Sequence, residues 1–271
     1  MLSLPYRLCA IDLDDTLLGP DHLISQRNAR AIAATIAKGV TVMLASGRMH
    51  EATLAYARQL DLDSPIISYN GAMVKHARTG EVWLHERIPG DLATVVMDYC
   101  AEHGLQLNFY LNDHLYTAAY TPWIQLYHER TNSPVELLPD FTITLRGAWP
   151  TKLIIIDTPE TTDELLPYFQ DLFGDSLYIT KSNVEYLEFI PATADKGKAL
   201  ELVARRLGLP AADTIAFGDS WNDVPMLQWA GLGVAVGNAK PEALAAADRV
   251  IGLSAEDGVG IALKEIFGLT L

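Results

Sequence analysis

Asp12 and Asp14, in the run Asp12-Leu13-Asp14-Asp15-Thr16, close an apolar stretch over residues 8–11 that reads as a buried strand. On an extended backbone alternate side chains share a face, so this run predicts both carboxylates on one side. Two such charges repel by about 4 kcal/mol at ~4 Å and an effective dielectric of ~20. A core strand gains nothing from ending this way unless a cation, or a reaction needing two carboxylates, uses the pair. A second acidic pair follows the apolar run Thr214-Ile215-Ala216-Phe217, in Gly218-Asp219-Ser220-Trp221-Asn222-Asp223. Asp219 stands directly at that strand end, whereas Asp223 is also placed to cap the helical stretch through Met226 and Leu227. Residues 40–45 form a β-branched, apolar run that stops at Ser46-Gly47-Arg48. A hydroxyl, a glycine N–H and a helix start at one strand end suit an anion such as phosphate. Lys196 opens a helical pattern over 197–207, where a cation opposes the helix dipole unless an anion lies beside it.

These residues need a scaffold that brings strand ends together. Ser25 is placed to cap a helix whose apolar face would use Ala29, Ile32, Ala33 and Ile36, ended by Gly39. A strand over 40–45 follows, then a helix with Leu54, Ala57 and Leu60 inward. Residues 65–69 read as a strand closed by Asn70-Gly71, a hairpin turn signal. Strand and helix alternate again after Pro191, through the Asp219 strand and 232–236 to an amphipathic C-terminal helix. The pattern predicts an α/β fold with a doubly wound, Rossmann-like parallel sheet, in which strand carboxyl ends carry the ligand site. Between them the pattern changes: a helix over 91–102, a hairpin over 105–110 and 115–120, a strand at 152–156, a helix at 161–173 and a strand at 177–180. The expected organisation is therefore a core of 1–82 with 189–271, and an inserted α+β domain of 83–188 with its own sheet.

Taken in order, Asp12-x-Asp14-x-Thr16, Ser46 at a second strand end, Lys196, and Gly218-Asp219-x-x-x-Asp223 resemble the four motifs of the haloacid-dehalogenase-like (HAD) hydrolase superfamily. The wording Asp-Leu-Asp-Asp-Thr-Leu-Leu, Ala-Ser-Gly-Arg, Tyr-Asn-Gly-Ala and Gly-Asp-Ser-Trp-Asn-Asp is similar to its Cof-type sugar-phosphatase branch. Trp221 departs from that wording, standing where a smaller or charged residue is expected, at the site's edge. The resemblance implies a HAD core whose inserted block is a cap that sets substrate specificity. It implies an Mg2+-dependent phosphatase of small phosphorylated metabolites, sugar phosphates first, working through an aspartyl-phosphate. Asp12 would be the nucleophile and Asp14 the acid and base, which favours a phosphatase over a dehalogenase. Mg2+ would be held by the Asp12 carboxylate, the Asp14 backbone carbonyl and Asp219, with Asp223 close by. Ser46, Lys196, Asn222 and the backbone N–H groups of Leu13 and Gly47 would hold the phosphoryl oxygens, with Arg48 a neighbour. The same motifs would serve a sugar-phosphate phosphotransferase (a mutase), which release of inorganic phosphate separates from a phosphatase. A non-catalytic binding or regulatory protein on this scaffold would be expected to lose some of Asp12, Asp14, Lys196 and Asp219.

Composition narrows the partners. The 271-residue chain has a net charge of −14, the wrong sign for gripping nucleic acid or an anionic membrane. No segment approaches the ~20 apolar residues of a membrane span, and the start of the chain lacks a signal-like stretch. Cys9 and Cys100 are far apart and without metal-site spacing, so no disulfide framework is expected. A cytoplasmic protein is the expectation. The block 83–188 holds five Lys/Arg and sixteen Asp/Glu, eleven of the fourteen net negative charges. Such a cap favours a substrate whose non-phosphate part is neutral or cationic, such as a sugar, and the same acids also suit a solvated surface. His85, His103, His114 and His128 lie in this block at spacings that match no metal template. Tyr127, Asn183, Glu185 and Tyr186 are candidate substrate contacts, and sugar phosphates, pyridoxal phosphate and flavin mononucleotide all fit the motifs. Oligomeric state leaves no signal in the sequence.

Overall fold

Leu8, Cys9, Ala10 and Ile11 are all fully buried, the mark of a strand covered on both faces. A computed structural model describes residues 6–131 and 133–270. Its strands are β1 (Leu8–Asp12), β2 (Thr41–Ala45), β3 (Pro65–Ser68), β4 (Met73–His76), β5 (Val82–His85), β6 (Gln106–Leu111), β7 (His114–Thr117), β8 (Val135–Leu137), β9 (Lys152–Ile156), β10 (Leu177–Asn183), β11 (Tyr186–Pro191), β12 (Thr214–Gly218), β13 (Leu232–Ala235) and β14 (Arg249–Val250). The chain divides into two compact units, one of residues 6–84 with 195–270 and one of residues 85–194.

The first unit is built on a sheet of order β14-β13-β12-β1-β2-β3-β4-β5. Its strands are parallel from β14 to β3, and β4 returns antiparallel to β3. The pleat sends alternate residues to opposite faces. Cys9, Ile11, Val42, Leu44, Ile215 and Phe217 pack with Ala31 and Ile32 of the helix Gln26–Ala37 and with Val259 and Leu263 of the helix Gly258–Phe267. Leu8, Ala10, Met43, Ala45 and Ala216 pack with Ala199, Leu200 and Val203 of the helix Lys196–Arg206 and with Met226 and Leu227. Helices on both faces make this the doubly wound α/β sheet that the alternation predicts. Asp12 continues the parity of Leu8 and Ala10, toward the face covered by the Lys196 helix.

Two expectations change here. Ser25 caps Gln26–Ala37 through its side chain, which accepts from Asn28 N, but the buried stripe is Asn28, Ala31, Ile32 and Thr35. Ala33 and Ile36 point outward, Ile36 being 38% exposed. Polar residues replace apolar ones inside because their bonds are made: Asn28 Nδ2 donates to Leu17 O (3.1 Å), and Gly260 N donates to Asn28 Oδ1 (2.8 Å). Likewise, the strand does not run on through Asp14. Leu13–Leu17 form one wide turn, closed by Leu18 N donating to Leu13 O at 2.9 Å, with Asp15 at φ 58°. Side-chain alternation stops at Asp12, so Asp12 and Asp14 do not share a strand face.

The second unit has a six-stranded sheet of order β10-β11-β9-β6-β7-β8, antiparallel except for β7 with β8. One face buries Leu107, Phe109, Leu153, Ile155, Leu187 and Phe189 against Val96 and Met97 of the helix Gly90–His103 and Leu165 and Phe169 of the helix Pro159–Phe173. The helix Pro122–Thr131 and strand β11 are absent from the sequence reading. β11 pairs with both β9 and β10, and this carries the second unit past residue 188 to residue 194. All six residues of β11 are buried, so it lacks the alternation that marks a half-exposed strand. Cys9 and Cys100 are free and buried, and among the described residues no helix is long and apolar enough to cross a membrane.

Candidate active site

Lys196 is the first residue of its helix, and its ammonium is fully buried between two carboxylates. Its Nζ donates to Asp12 Oδ1 at 2.7 Å and to Asp223 Oδ1 at 2.6 Å. Burial alone would lower the Lys196 pKa, but the charges of Asp12 and Asp223 outweigh it and hold the ammonium protonated. Asp12 is pushed the other way: burial, then the Asp223 charge, raise its carboxyl well above the ordinary range, against the pull of Lys196. The helix-dipole penalty on a first-turn lysine is thus answered by anions from other segments.

Asp219 follows β12 directly. Thr16 Oγ1 donates to its Oδ1 at 3.1 Å, and burial followed by the Asp223 charge raises it to about 6. Asp223 Oδ2 accepts from Asp219 N (2.9 Å) and Ser220 N (3.0 Å), while the Ser220 side chain accepts in return, forming a capping box. A Cβ at Gly218 would lie 2.5 Å from Asp223 Cβ, so only glycine lets this loop fold back on itself. Asp12, Asp219 and Asp223 bring carboxylate oxygens within 4.8 Å of one another, all three buried. Hard oxygen donors at this density suit a small divalent cation. Asp14 is not among them.

The Asp14 carboxylate is instead gripped by Arg48, whose Nε donates to Oδ2 at 2.8 Å and whose Nη2 donates to Oδ1 at 2.6 Å. The Asp14 side chain is 42% exposed and the Arg48 side chain 14%. Ser46 is fully buried, and its Oγ accepts from Arg48 N at 3.1 Å. Asn70 N donates to Ser46 O at 3.1 Å, and Asn222 Nδ2 donates to Asn70 Oδ1 at 2.8 Å. That same oxygen lies 2.7 Å from where a Cβ on Gly47 would stand. The structure therefore brings together Asp12, Lys196, Asp219 and Asp223 as one cluster, links Arg48 to Asp14, and ties Ser46, Gly47 and Asn222 through Asn70. Leu13 is buried in the turn after β1. Trp221 is 54% exposed, with Lys240 Nζ 5.7 Å from its ring centre.

Two residues missed as site residues join these groups: Asn70 and Thr16. Asn70 reads as a turn residue in sequence and is one, at φ 56°, but its amide also bridges two strand ends. Thr16 was visible only as part of its motif. The histidines of the second unit bond separately: His85 to Thr151, His103 to Tyr99 O, His114 to Glu136 and His128 to Ser133 O. In that unit Tyr127 accepts from Tyr110 OH, Arg130 pairs with Glu185 and Tyr186, and the Asn183 side chain accepts from Val184 N.

A family model described as haloacid dehalogenase-like hydrolase matches residues 9–263. YxeH of Bacillus subtilis, named as a phosphatase, is 30% identical over 96% of this chain and 98% of its own. The 5-amino-6-(5-phospho-D-ribitylamino)uracil phosphatase YitU of Bacillus subtilis is 29% identical over 99% of this chain and 100% of its own. A crystal structure of a Thermotoga maritima protein is 33% identical, covers 98% of each chain and superposes with a TM-score of 0.89.

Proposed function

The chain belongs to the haloacid dehalogenase-like hydrolases, in their Cof-type branch, and is a phosphatase; from this we propose that it hydrolyses monoesters of small, hydroxylated phosphorylated metabolites through an aspartyl-phosphate on Asp12. One observation carries the reading: Asp12 is buried at a strand end, ion-paired to Lys196 and grouped with Asp219 and Asp223. A buried carboxylate with a resident cation and two acidic neighbours is poorly explained by stability alone.

In the proposed reaction an Asp12 carboxylate oxygen attacks phosphorus, the ester P–O bond breaks, and Asp14 protonates the departing alkoxide. Asp14 then takes a proton from the water that attacks the aspartyl-phosphate. The bond from Asp12 to phosphorus breaks and inorganic phosphate leaves. The bidentate grip of Arg48 holds the Asp14 carboxylate in one orientation, as planar guanidinium forks do. Lys196, Ser46, Asn222 and the N–H groups of Leu13 and Gly47 are assigned to the phosphoryl oxygens, with Asn70 fixing Asn222 beside Gly47. Asp12 and Asp219, with the Asp14 carbonyl, would hold Mg2+, which supplies positive charge where an anionic nucleophile meets an anionic phosphate. Asp223 has both oxygens engaged by Lys196 and the Asp219–Ser220 backbone, so its part is to position Lys196 and add negative charge to the cation site.

We assign the second unit as the cap that selects the substrate. Its net negative charge favours a neutral or cationic body on the phosphate, and the relative YitU, named for a phospho-D-ribityl compound, fits that class. The two free, buried cysteines suit a reducing cytoplasm. Phosphate release from a panel of phosphorylated metabolites, with Mg2+ and with EDTA, tests the proposal beside Asp12→Asn. The expected result is Mg2+-dependent release that falls by at least about a thousandfold in the variant. Wild-type-like release from Asp12→Asn would remove Asp12 as nucleophile; transfer to a sugar with no free phosphate would make the enzyme a mutase.

A further inference from the structure

Within the first unit, the turn Trp221–Asp223 sends three consecutive side chains three ways, as a turn with three residues per revolution does. Asp223 is fully buried against Lys196, and Asn222 reaches Asn70 beside Gly47. Trp221 takes the remaining direction and is 54% exposed. A single exposed apolar residue on a surface is ordinary. This one lies between Ser220, whose N–H is held by Asp223, and Asn222, so its backbone is fixed by the site itself. A second segment meets it there. Lys240 N donates to Asp219 O at 2.7 Å, and Lys240 Nζ lies 5.7 Å from the indole centre. A cation over the ring favours one placement of it, so a large flat apolar surface stands ready beside the cluster of Asp12, Lys196 and Asp219.

Stability gives little reason for this arrangement, since a solvent-exposed cation–π contact adds little to folding. We infer that Trp221 is a specificity-determining residue on which the ring-shaped, non-phosphate body of the substrate stacks, with Lys240 as the positioning residue for the indole; this rests on the phosphatase reading above. Asn222, assigned there to a phosphoryl oxygen, is the adjacent residue, and consecutive Cα atoms are only about 3.8 Å apart. The group esterified to that phosphorus is therefore within a side chain's reach of the indole. An indole stacks on a flat C–H or π face without reading its hydrogen-bonding groups. The C–H face of a pyranose and a heteroaromatic ring share that chemistry, whereas an acyclic polyol chain has no flat face to offer. Stacking of this kind is made alike in the ground and transition states, so its loss raises KM more than it lowers kcat.

The test compares kcat and KM for glucose 6-phosphate, pyridoxal 5′-phosphate and glycerol 3-phosphate in the wild type, Trp221→Ala and Trp221→Phe, with Mg2+ present. Trp221→Ala is expected to lower the ratio of cyclic to acyclic kcat/KM at least about fivefold, mostly through KM, and Trp221→Phe to restore most of it. A loss confined to glucose 6-phosphate would identify a sugar ring as the body, and one confined to pyridoxal 5′-phosphate a heteroaromatic ring. Lys240→Met keeps the stem without the charge. It is expected to lower the same ratio in the wild type and to change nothing further in Trp221→Ala, and a further loss there would overturn its positioning role. The Tm of Trp221→Ala is expected to stay within about 2 °C of wild type, because the ring is exposed. An unchanged ratio in Trp221→Ala, or equal losses on all three substrates, would overturn the inference and leave the phosphatase reading standing. A wild type active on acyclic esters alone would do the same, and one that releases phosphate from no metabolite would overturn both.

Discussion

Asp219 shows how far burial has moved the site's acids. Its carboxyl, raised to about 6 by burial and by the Asp223 charge, keeps its proton to higher pH in the folded chain than in the unfolded one. The stability this gives is complete below the unfolded value near 4 and is lost as pH rises through about 6. A divalent cation acts in the opposite sense, because it binds the ionised form. Thermal unfolding with Mg2+ and with EDTA should therefore show a metal-induced rise in Tm that grows from about pH 5 to about pH 7.5. A rise independent of pH would take Asp219 out of the cation site. At this scale the sequence was legible where a residue type was implausible in its place: acids at buried strand ends, a lysine in a first helical turn. It was silent on the bonds that Asn70 and Thr16 make, whose partners lie 152 and 203 residues away. Arg48 was seen as a neighbour, but its grip on Asp14 depends on how two loops meet.

Asn28 makes the same point for an element. The helix Gln26–Ala37 has its start and its cap written plainly, yet the face it buries is polar at two of four positions. Asn28→Ala would strand Leu17 O and Gly260 N, at a cost of about 2–4 kcal/mol. Urea denaturation should report that loss, and a change under about 0.5 kcal/mol would mean that water replaces the amide. Apolar runs and periodicity located the parallel core strands except β14, and most helices. They could not place β11, buried throughout, nor the turn Leu13–Leu17, whose Leu18-to-Leu13 bond spans five residues rather than the usual four. Both depend on partners outside the segment.

Charge is a property of the whole molecule. The net −14 repels phosphorylated substrates at long range, and salt screens that repulsion. Raising ionic strength from about 10 to about 150 mM at fixed Mg2+ should lower KM for a sugar phosphate by about two- to threefold. Initial rates across a NaCl series check it, and a KM that climbs with salt would reverse the sign of the argument. The order of the core sheet has a consequence for a chain still being made. β1 lies between β2, which begins 33 residues after it, and β12, which begins 206 residues after it. At 5–20 residues per second, roughly 10–40 s of translation separate Asp12 from Asp219. Throughout that interval the apolar strand Leu8–Asp12 leaves the ribosome with one edge unclaimed, which is a hazard to be shielded by chaperones. Asp12 is synthesised well before Lys196, Asp219 and Asp223, so a stalled nascent chain is adhesive long before the buried cluster can form.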